Sequence, residues 1–292
     1  LGNQFGLSEH TAGDGPQWVT QGDFDSDGDI DLAVANQVTN TVSLMINDGT
    51  GGFNESTAPY VGAGPESVAV ADFNGNGHLD LAIGHEYTSF VSVLLDDGNG
   101  GYESKVDYTT GGGAGAVTTG DFNGDGQPDL AVANEFSNVS GTDTLTVLLN
   151  KNDGSGTFDT SSPITLPAGN SPVAIVSGDF NDDGHVDLAA ADMDDDNVRV
   201  LLNSGNASFP VQGTLTFSVG TGPFHLATGD IDGDGDLDLA VANVLSDSIS
   251  ILSNSGTGLM TVSSPLSAGR GPTSVVANDL DKDGDLDLAV TN

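Results

Sequence analysis

Cysteine is absent from the 292-residue chain, which excludes disulfides, thiolate metal sites and a cysteine nucleophile. Basic residues are almost as scarce: Lys105, Lys151, Arg199, Arg270 and Lys282 face 43 Asp and Glu, and the formal net charge is −38. Such a surface repels nucleic acid and anionic lipid, so neither is expected as a partner. No apolar run approaches the ~18 residues of a transmembrane helix, so no membrane span is expected. The chain begins at Leu1 without Met and shows no signal-peptide pattern, so any targeting segment is expected to have been removed.

What is abundant is glycine, 42 residues of it, set among short runs of Val, Leu, Ala and Thr that bring the hydrophobic content to 36%. That is too much periodic apolar content for a disordered chain, and it indicates an all-β fold with a real core. The acidic residues are not spread evenly. They cluster in six copies of D-x-[DN]-x-[DN]-G-x-x-D that begin at Asp23, Asp72, Asp121, Asp179, Asp230 and Asp279, spaced 49, 49, 58, 51 and 49 residues apart. An internal repeat of about 50 residues governs every local assignment.

Each copy has one internal order, clearest in GPESVAVADF (64–73), the acidic loop, LDLAIG (79–84), FVSVLLDD (90–97), a Gly-rich turn and GYESKVDYTTG (101–111). Four short strands separated by Gly, Asn, Asp and Pro, with no helical period, make one repeat. A four-stranded sheet cannot bury both faces alone but does so when stacked radially between neighbours, whereas a solenoid or a string of small domains would call for caps or linkers. The expected fold is therefore an all-β β-propeller, six blades of about four antiparallel strands, with 1–292 as a single domain. Phe5 aligns with Phe53 and Asn292 with Asn36, so the closing blade is expected to be shared between the termini. The last repeat would supply its strands one and two and the N-terminus its strand four, with no counterpart of the third-strand segment 37–48.

Alternation in the acidic loop lets residues one, three and five project oxygens toward one centre. Gly at position six reverses the backbone, position seven offers a carbonyl and position nine adds a carboxylate. Hard oxygen donors at this density suit Ca²⁺, which takes six to eight of them in flexible geometry. The expected ligands are Asp23, Asp25, Asp27, Asp29 and Asp31; Asp72, Asn74, Asn76, His78 and Asp80; Asp121, Asn123, Asp125, Gln127 and Asp129; Asp179, Asn181, Asp183, His185 and Asp187; Asp230, Asp232, Asp234, Asp236 and Asp238; and Asp279, Asp281, Asp283, Asp285 and Asp287. Up to six Ca²⁺ are expected, and the loop 72–80, with Asn at positions three and five, should bind most weakly. An EF-hand is excluded, because position twelve is apolar in every copy, from Val34 to Val290.

With these loops and the preceding G-x-G-P-x-x-V-A-x-G-D-F signature, the chain resembles the FG-GAP and VCBS repeat proteins, whose propeller is that of the integrin α-subunit head. Gly64-Pro65, Gly120-Asp121-Phe122, Gly222-Pro223, Gly271-Pro272 and all six loops carry the likeness; Ala114 in place of Pro, and Ile231 and Leu280 in place of Phe, depart from it. The resemblance implies that the loops join strands one and two of a blade and bind Ca²⁺ structurally. It also implies that recognition occurs on the opposite face.

On that face the residues to watch are Trp18, Tyr87, Phe136, Phe224, His225 and Arg270, aromatic planes and a rare cation able to stack on a sugar or pair with a carboxylate. The alternative is that Trp18 and Phe224 plug the central channel. The expected function is a secreted or cell-surface recognition and adhesion module for glycan or an extracellular protein. The alternatives are a structural subunit of a surface layer, sheath or filament that self-assembles through the incomplete blade, and, less favoured, a polysaccharide-active enzyme domain. No H-E-x-x-H, G-x-S-x-G or phosphate loop is present, so catalysis is not expected.

Overall fold

A computed structural model describes residues 10–135, 143–210 and 213–292. These contain no α-helix, and all strands pair antiparallel. The first sheet runs in chain order through Pro16–Gly22, Asp31–Asn36, Thr41–Asn47 and Phe53–Tyr60. The second uses Pro65–Ala71, Asp80–His85, Phe90–Leu94 and Val106–Thr109, the third Gly113–Gly120, Asp129–Glu135, Asp143–Leu148 and Ile164–Gly169. The fourth uses Pro172–Gly178, Asp187–Asp192, Asn197–Leu201 and Thr214–Ser218. One backbone pair, His85 with Ala114, joins the second and third sheets into a continuous eight-stranded one.

The fifth sheet has Pro223–Gly229, Asp238–Asn243 and Ser248–Ser253, but its outer strand is broken into Thr261–Val262 and Leu266–Ser267. Pro265, which has no N–H to give to a ladder, lies in the break. The last sheet has two described strands, Ser274–Asn278 and Asp287–Thr291. Phe5, expected to begin a shared closing strand, lies outside the described residues.

The pattern L-A-V-A of the second strand explains how the sheets stack. Alternate residues face opposite sides. In the third sheet Leu130 and Val132 join Phe73, Val91 and Phe158 of the second-to-third interface, while Ala131 and Ala133 face Phe122 and Leu188 in the next one. The same handing-on recurs at Leu239 and Val241 against Ala240 and Ala242. Large residues thus point at the preceding sheet, and alanines leave room for the loop Phe and the following sheet. Phe73, Phe122 and Phe180 are at most 1% exposed, and truncation of one to Ala should cost about 3–5 kcal/mol. The core is consequently a series of inter-sheet layers. Successive first strands also touch one another, which places them innermost, around an axis.

First strands carry one more repeated device. Register against the second strand shifts between Pro16 and Trp18, Pro65 and Ser67, Pro172 and Ala174, and Pro223 and His225; in the third sheet it shifts opposite Ala133 and Asn134. Gln17, Glu66, Gly115, Val173 and Phe224 are the extra residues. A bulge re-aims its side chain out of the ladder, and here it does so at the end of the sheets remote from the acidic loops.

Candidate functional site

All six acidic loops join a first strand to a second, at one end of the sheets. Position one builds each loop by accepting backbone N–H groups. Asp23 takes those of Asp27 and Gly28 at 3.1 Å, and Asp121, Asp179 and Asp279 take those of the same two positions. Position nine is buried in the first five loops and partly exposed at Asp287 in the sixth. In the first sheet Asp31 accepts Phe24 N at 2.8 Å through Oδ2 and Asn47 N at 2.7 Å through Oδ1; Asp80, Asp129, Asp187 and Asp238 repeat the pair. This residue ties the loop to the turn after strand three. Burial outweighs these amide bonds and pushes Asp129 up to about 7 and Asp80 and Asp187 to about 6.

Carboxylate oxygens of Asp23, Asp25 and Asp27, of Asp230, Asp232 and Asp234, and of Asp279, Asp281 and Asp287 lie within 4.8 Å of one another. These are the first, fifth and sixth loops; in the other three an Asn stands at position three. Four of the six position-seven side chains pack toward the following turn. Asp29, His78, His185 and Asp236 approach Gly49, Gly98, Gly205 and Gly256, glycines of the following turn that all have positive φ. That leaves the carbonyl as the group position seven can offer the loop. An all-oxygen, carboxylate-rich donor set of this kind fits Ca²⁺.

Position four, which the sequence pattern leaves free, proves to be constrained: Ser26, Asp182 and Lys282 have φ of 63°, 55° and 65°, and the other loops use Gly there. A Cβ in this region costs energy, so Gly is the favoured residue.

At the opposite end the bulged residues converge on a cavity of about 360 Å³. Gln17, Glu66, Val173 and Phe224 come from the bulges, and Gln37, Glu86, Tyr87, Glu135 and Met193 from the ends of second strands or the residues just after them; five of the six repeats contribute. Gln37 Nε2 donates to Glu86 Oε2 at 2.8 Å and Ser171 Oγ to Glu135 Oε1 at 2.8 Å. Glu66 Oε2 is buried without a partner and lies 2.8 Å from where a Cβ on Gly115 would be, so the glycine of the next repeat makes room for it. Burial, and then the charges of Glu86 and Glu135, push the Glu66 carboxyl up to about 7. Burial raises Glu135 as well, and the hydrogen bond to Glu86 raises the Tyr87 phenol.

Of the expected ligand-face residues, Tyr87 and Phe224 line this cavity. Trp18 of the first sheet and His225 of the fifth, each one residue past its bulge, meet with ring centroids 5.0 Å apart. Burial holds His225 down at about 4. Arg270 is exposed in the loop before the last sheet and does not line the cavity. Phe136 lies outside the described residues.

The three glutamates were not among the expected residues. The available signal was compositional: only six of the 43 acidic residues are Glu, and Glu66, Glu86 and Glu135 are three of them. A second polar group is a cross-strand chain that runs from buried His85 Nε2 through buried Ser92 Oγ to exposed Asp107, to which Ser92 Oγ donates at 2.6 Å. Ser92 is fully buried and joins strands.

Radially stacked antiparallel sheets with a loop carboxylate cluster at one end define a β-propeller, and comparison with known proteins agrees. The model of the FG-GAP-like repeat matches residues 23–83, 136–190 and 179–241, and that of the FG-GAP repeat matches 113–148. The chain belongs to the FG-GAP-like repeat family. None of the curated proteins matches the sequence.

Among solved structures it is similar to BBS1N in complex with ARL6DN, at 13% identity and TM-score 0.64 over 96% of this chain and 77% of that one. It is also similar to an Agrocybe aegerita lectin that recognises non-reducing terminal N-acetylglucosamine, at 15% identity and TM-score 0.58 over 94% and 74%. Virginiamycin B lyase from Staphylococcus aureus gives 15% identity and TM-score 0.60 over 95% and 77%. At such identities the likeness is one of fold.

Proposed function

We propose that the protein is a calcium-stabilised recognition module of the extracellular space or cell surface, which takes a glycan or a protein at the end opposite its acidic loops. The observation that carries this reading is the cavity to which five repeats each contribute a side chain. A surface assembled from positions far apart in sequence is defined only when the ring is intact, so stabilising the ring defines the site.

In the loops Asp23, Asp25, Asp27 and Asp31, with their counterparts in the other repeats, would hold the ion, including the Asn residues at positions three and five. Bound Ca²⁺ supplies positive charge that offsets repulsion between the convergent carboxylates. With no disulfide available, ions at Kd of about 10⁻⁴ to 10⁻³ M would add roughly 0.4–1.4 kcal/mol per site in millimolar calcium. That calcium level suits an extracellular setting. Neighbours of the same fold give precedent for both ligand types, since one is a lectin and another is complexed with ARL6DN.

The test is an array of glycans and extracellular proteins probed with the intact chain in calcium and in chelator. Binding is expected in calcium, weakened in chelator, and lost in Tyr87→Ala and Phe224→Ala. Binding indifferent to both substitutions, or no binding to any glycan or protein, would overturn the reading.

A further inference from the structure

We propose that the cavity at the channel mouth is a binding site for an organic cation, a protonated amine or guanidinium seated among the carboxylates of Glu66, Glu86 and Glu135. The inference rests on the reading of this end as the recognition face and names the chemistry it would recognise.

Three glutamates from two adjacent repeats share one half-enclosed space, and no base lines it. Ion pairs among the described residues involve only Lys105 and Arg199, with Asp107, Asp192 and Asp195. Neutral donors reach Glu86 and Glu135, but nothing reaches the buried Oε2 of Glu66. Holding three carboxylates together partly out of water is costly, and a cation in the cavity offsets their like charge while its N–H groups donate to the carboxylate oxygens that face it. The bulge at Glu66 and the glycine at Gly115 fix this arrangement in the backbone.

Size and lining select the class of cation. Triplets of carboxylate oxygens within 4.8 Å of one another occur, among the described residues, only in the acidic loops, so these glutamates do not form a compact cage for a bare metal ion. A cavity of about 360 Å³ has the size of a small-molecule site rather than an ion site. Phe224, Tyr87, Val173 and Met193 give it an apolar wall, which suits a hydrocarbon stem, and aromatic rings add cation–π attraction to an ammonium or guanidinium. A neutral sugar would leave the like charges uncompensated.

The cation has two sources, a Lys or Arg side chain on a partner protein or a free polyamine. Calorimetric titration of the intact chain at pH 8 in saturating calcium would use n-butylamine against its neutral isostere n-butanol, then spermidine against a lysine peptide and its ε-acetylated form. The amines and the unmodified peptide are expected to bind, the alcohol and the acetylated peptide not. The triple variant Glu66→Gln, Glu86→Gln, Glu135→Gln should lose at least tenfold in affinity. A control removing the same charge from the turns at the far end, Asp97→Asn, Asp153→Asn, Asp159→Asn, should stay within twofold.

A tighter lysine peptide supports a protein side chain as the source, and tighter spermidine supports a free polyamine. Either is consistent with the site. Equal affinity in the triple variant, equal loss in the control, or butanol binding as well as butylamine overturns the inference. The triple variant is expected to melt at or above the wild type, which separates lost binding from lost folding. If a glycan or protein binds in a Tyr87- and Phe224-dependent manner while no amine does, this inference fails and the recognition reading stands. Amine binding without any glycan or protein ligand gives the converse.

Discussion

The two ends of the propeller are both acidic, yet their carboxylates are held in different ways. Loop aspartates are organised within nine residues of chain, where position one accepts the N–H groups of positions five and six and position nine those of position two and the next turn. The glutamates at the other end are gathered across 69 positions, from Glu66 to Glu135, by a bulge and two strand ends. One arrangement recurs in six loops, with its convergent carboxylates largely exposed above a buried ninth residue; the other occurs once and is half-buried. Repetition marks what holds a ring, and the position that breaks repetition marks what the ring can bind. Gln17, Glu66, Gly115, Val173 and Phe224 occupy the same bulge with five different chemistries.

The sharpest way to break this contrast is at position nine. Asp187→Ala removes the acceptor for Phe180 N and Asn203 N in a fully buried site, and should cost about 3 kcal/mol even in chelator. Denaturant unfolding checks this; a loss seen only in calcium would make position nine a ligand and nothing more.

At the other end Glu66→Gln should act through pH. The folded-state Glu66 carboxyl, at about 7, lies above the ordinary value of 4.5, so the folded protein keeps a proton that the unfolded chain has released. The stability from this group is therefore full below about 4.5 and lost as pH rises through 7. The variant should be more stable than wild type at pH 8 by on the order of 2 kcal/mol and show a flatter profile between pH 4.5 and 7. Unchanged pH dependence would mean that Glu66 is solvated.

Loop strength can be graded more finely. Asn74→Asp gives the second loop a third carboxylate and should tighten its calcium affinity about tenfold, or about 1.4 kcal/mol, as read by titration. The smallest expected effect is Ser26→Gly, which relieves a positive φ of 63° and should stabilise by roughly 0.5–1 kcal/mol.

Local regularities were the readable ones. The D-x-[DN]-x-[DN]-G-x-x-D spacing indicated the loops, and L-A-V-A indicated strands covered on both faces, because each is a short-range pattern stated several times. The positive φ at Ser26, Asp182 and Lys282 was hidden, since Ser, Asp and Lys do not announce it as Gly does.

The cavity was hidden for a different reason. GPESVAVADF contains Glu66 in plain view, but the one-residue shift between Pro65 and Ser67 decides which way it points, and Glu86 and Glu135 reach it only through sheet stacking. Trp18 and His225 were both singled out in the sequence, whereas their contact with each other became apparent only in three dimensions.

The most direct test is thermal unfolding of the intact chain in millimolar calcium and in chelator, with the Glu66→Gln, Glu86→Gln, Glu135→Gln variant alongside. If the loops hold the ring and the cavity binds, calcium should raise the melting temperature of both proteins equally, by at least about 5 °C for a few occupied sites. A melting temperature unchanged by chelator, or a calcium response abolished by the glutamate substitutions, would contradict that division of labour.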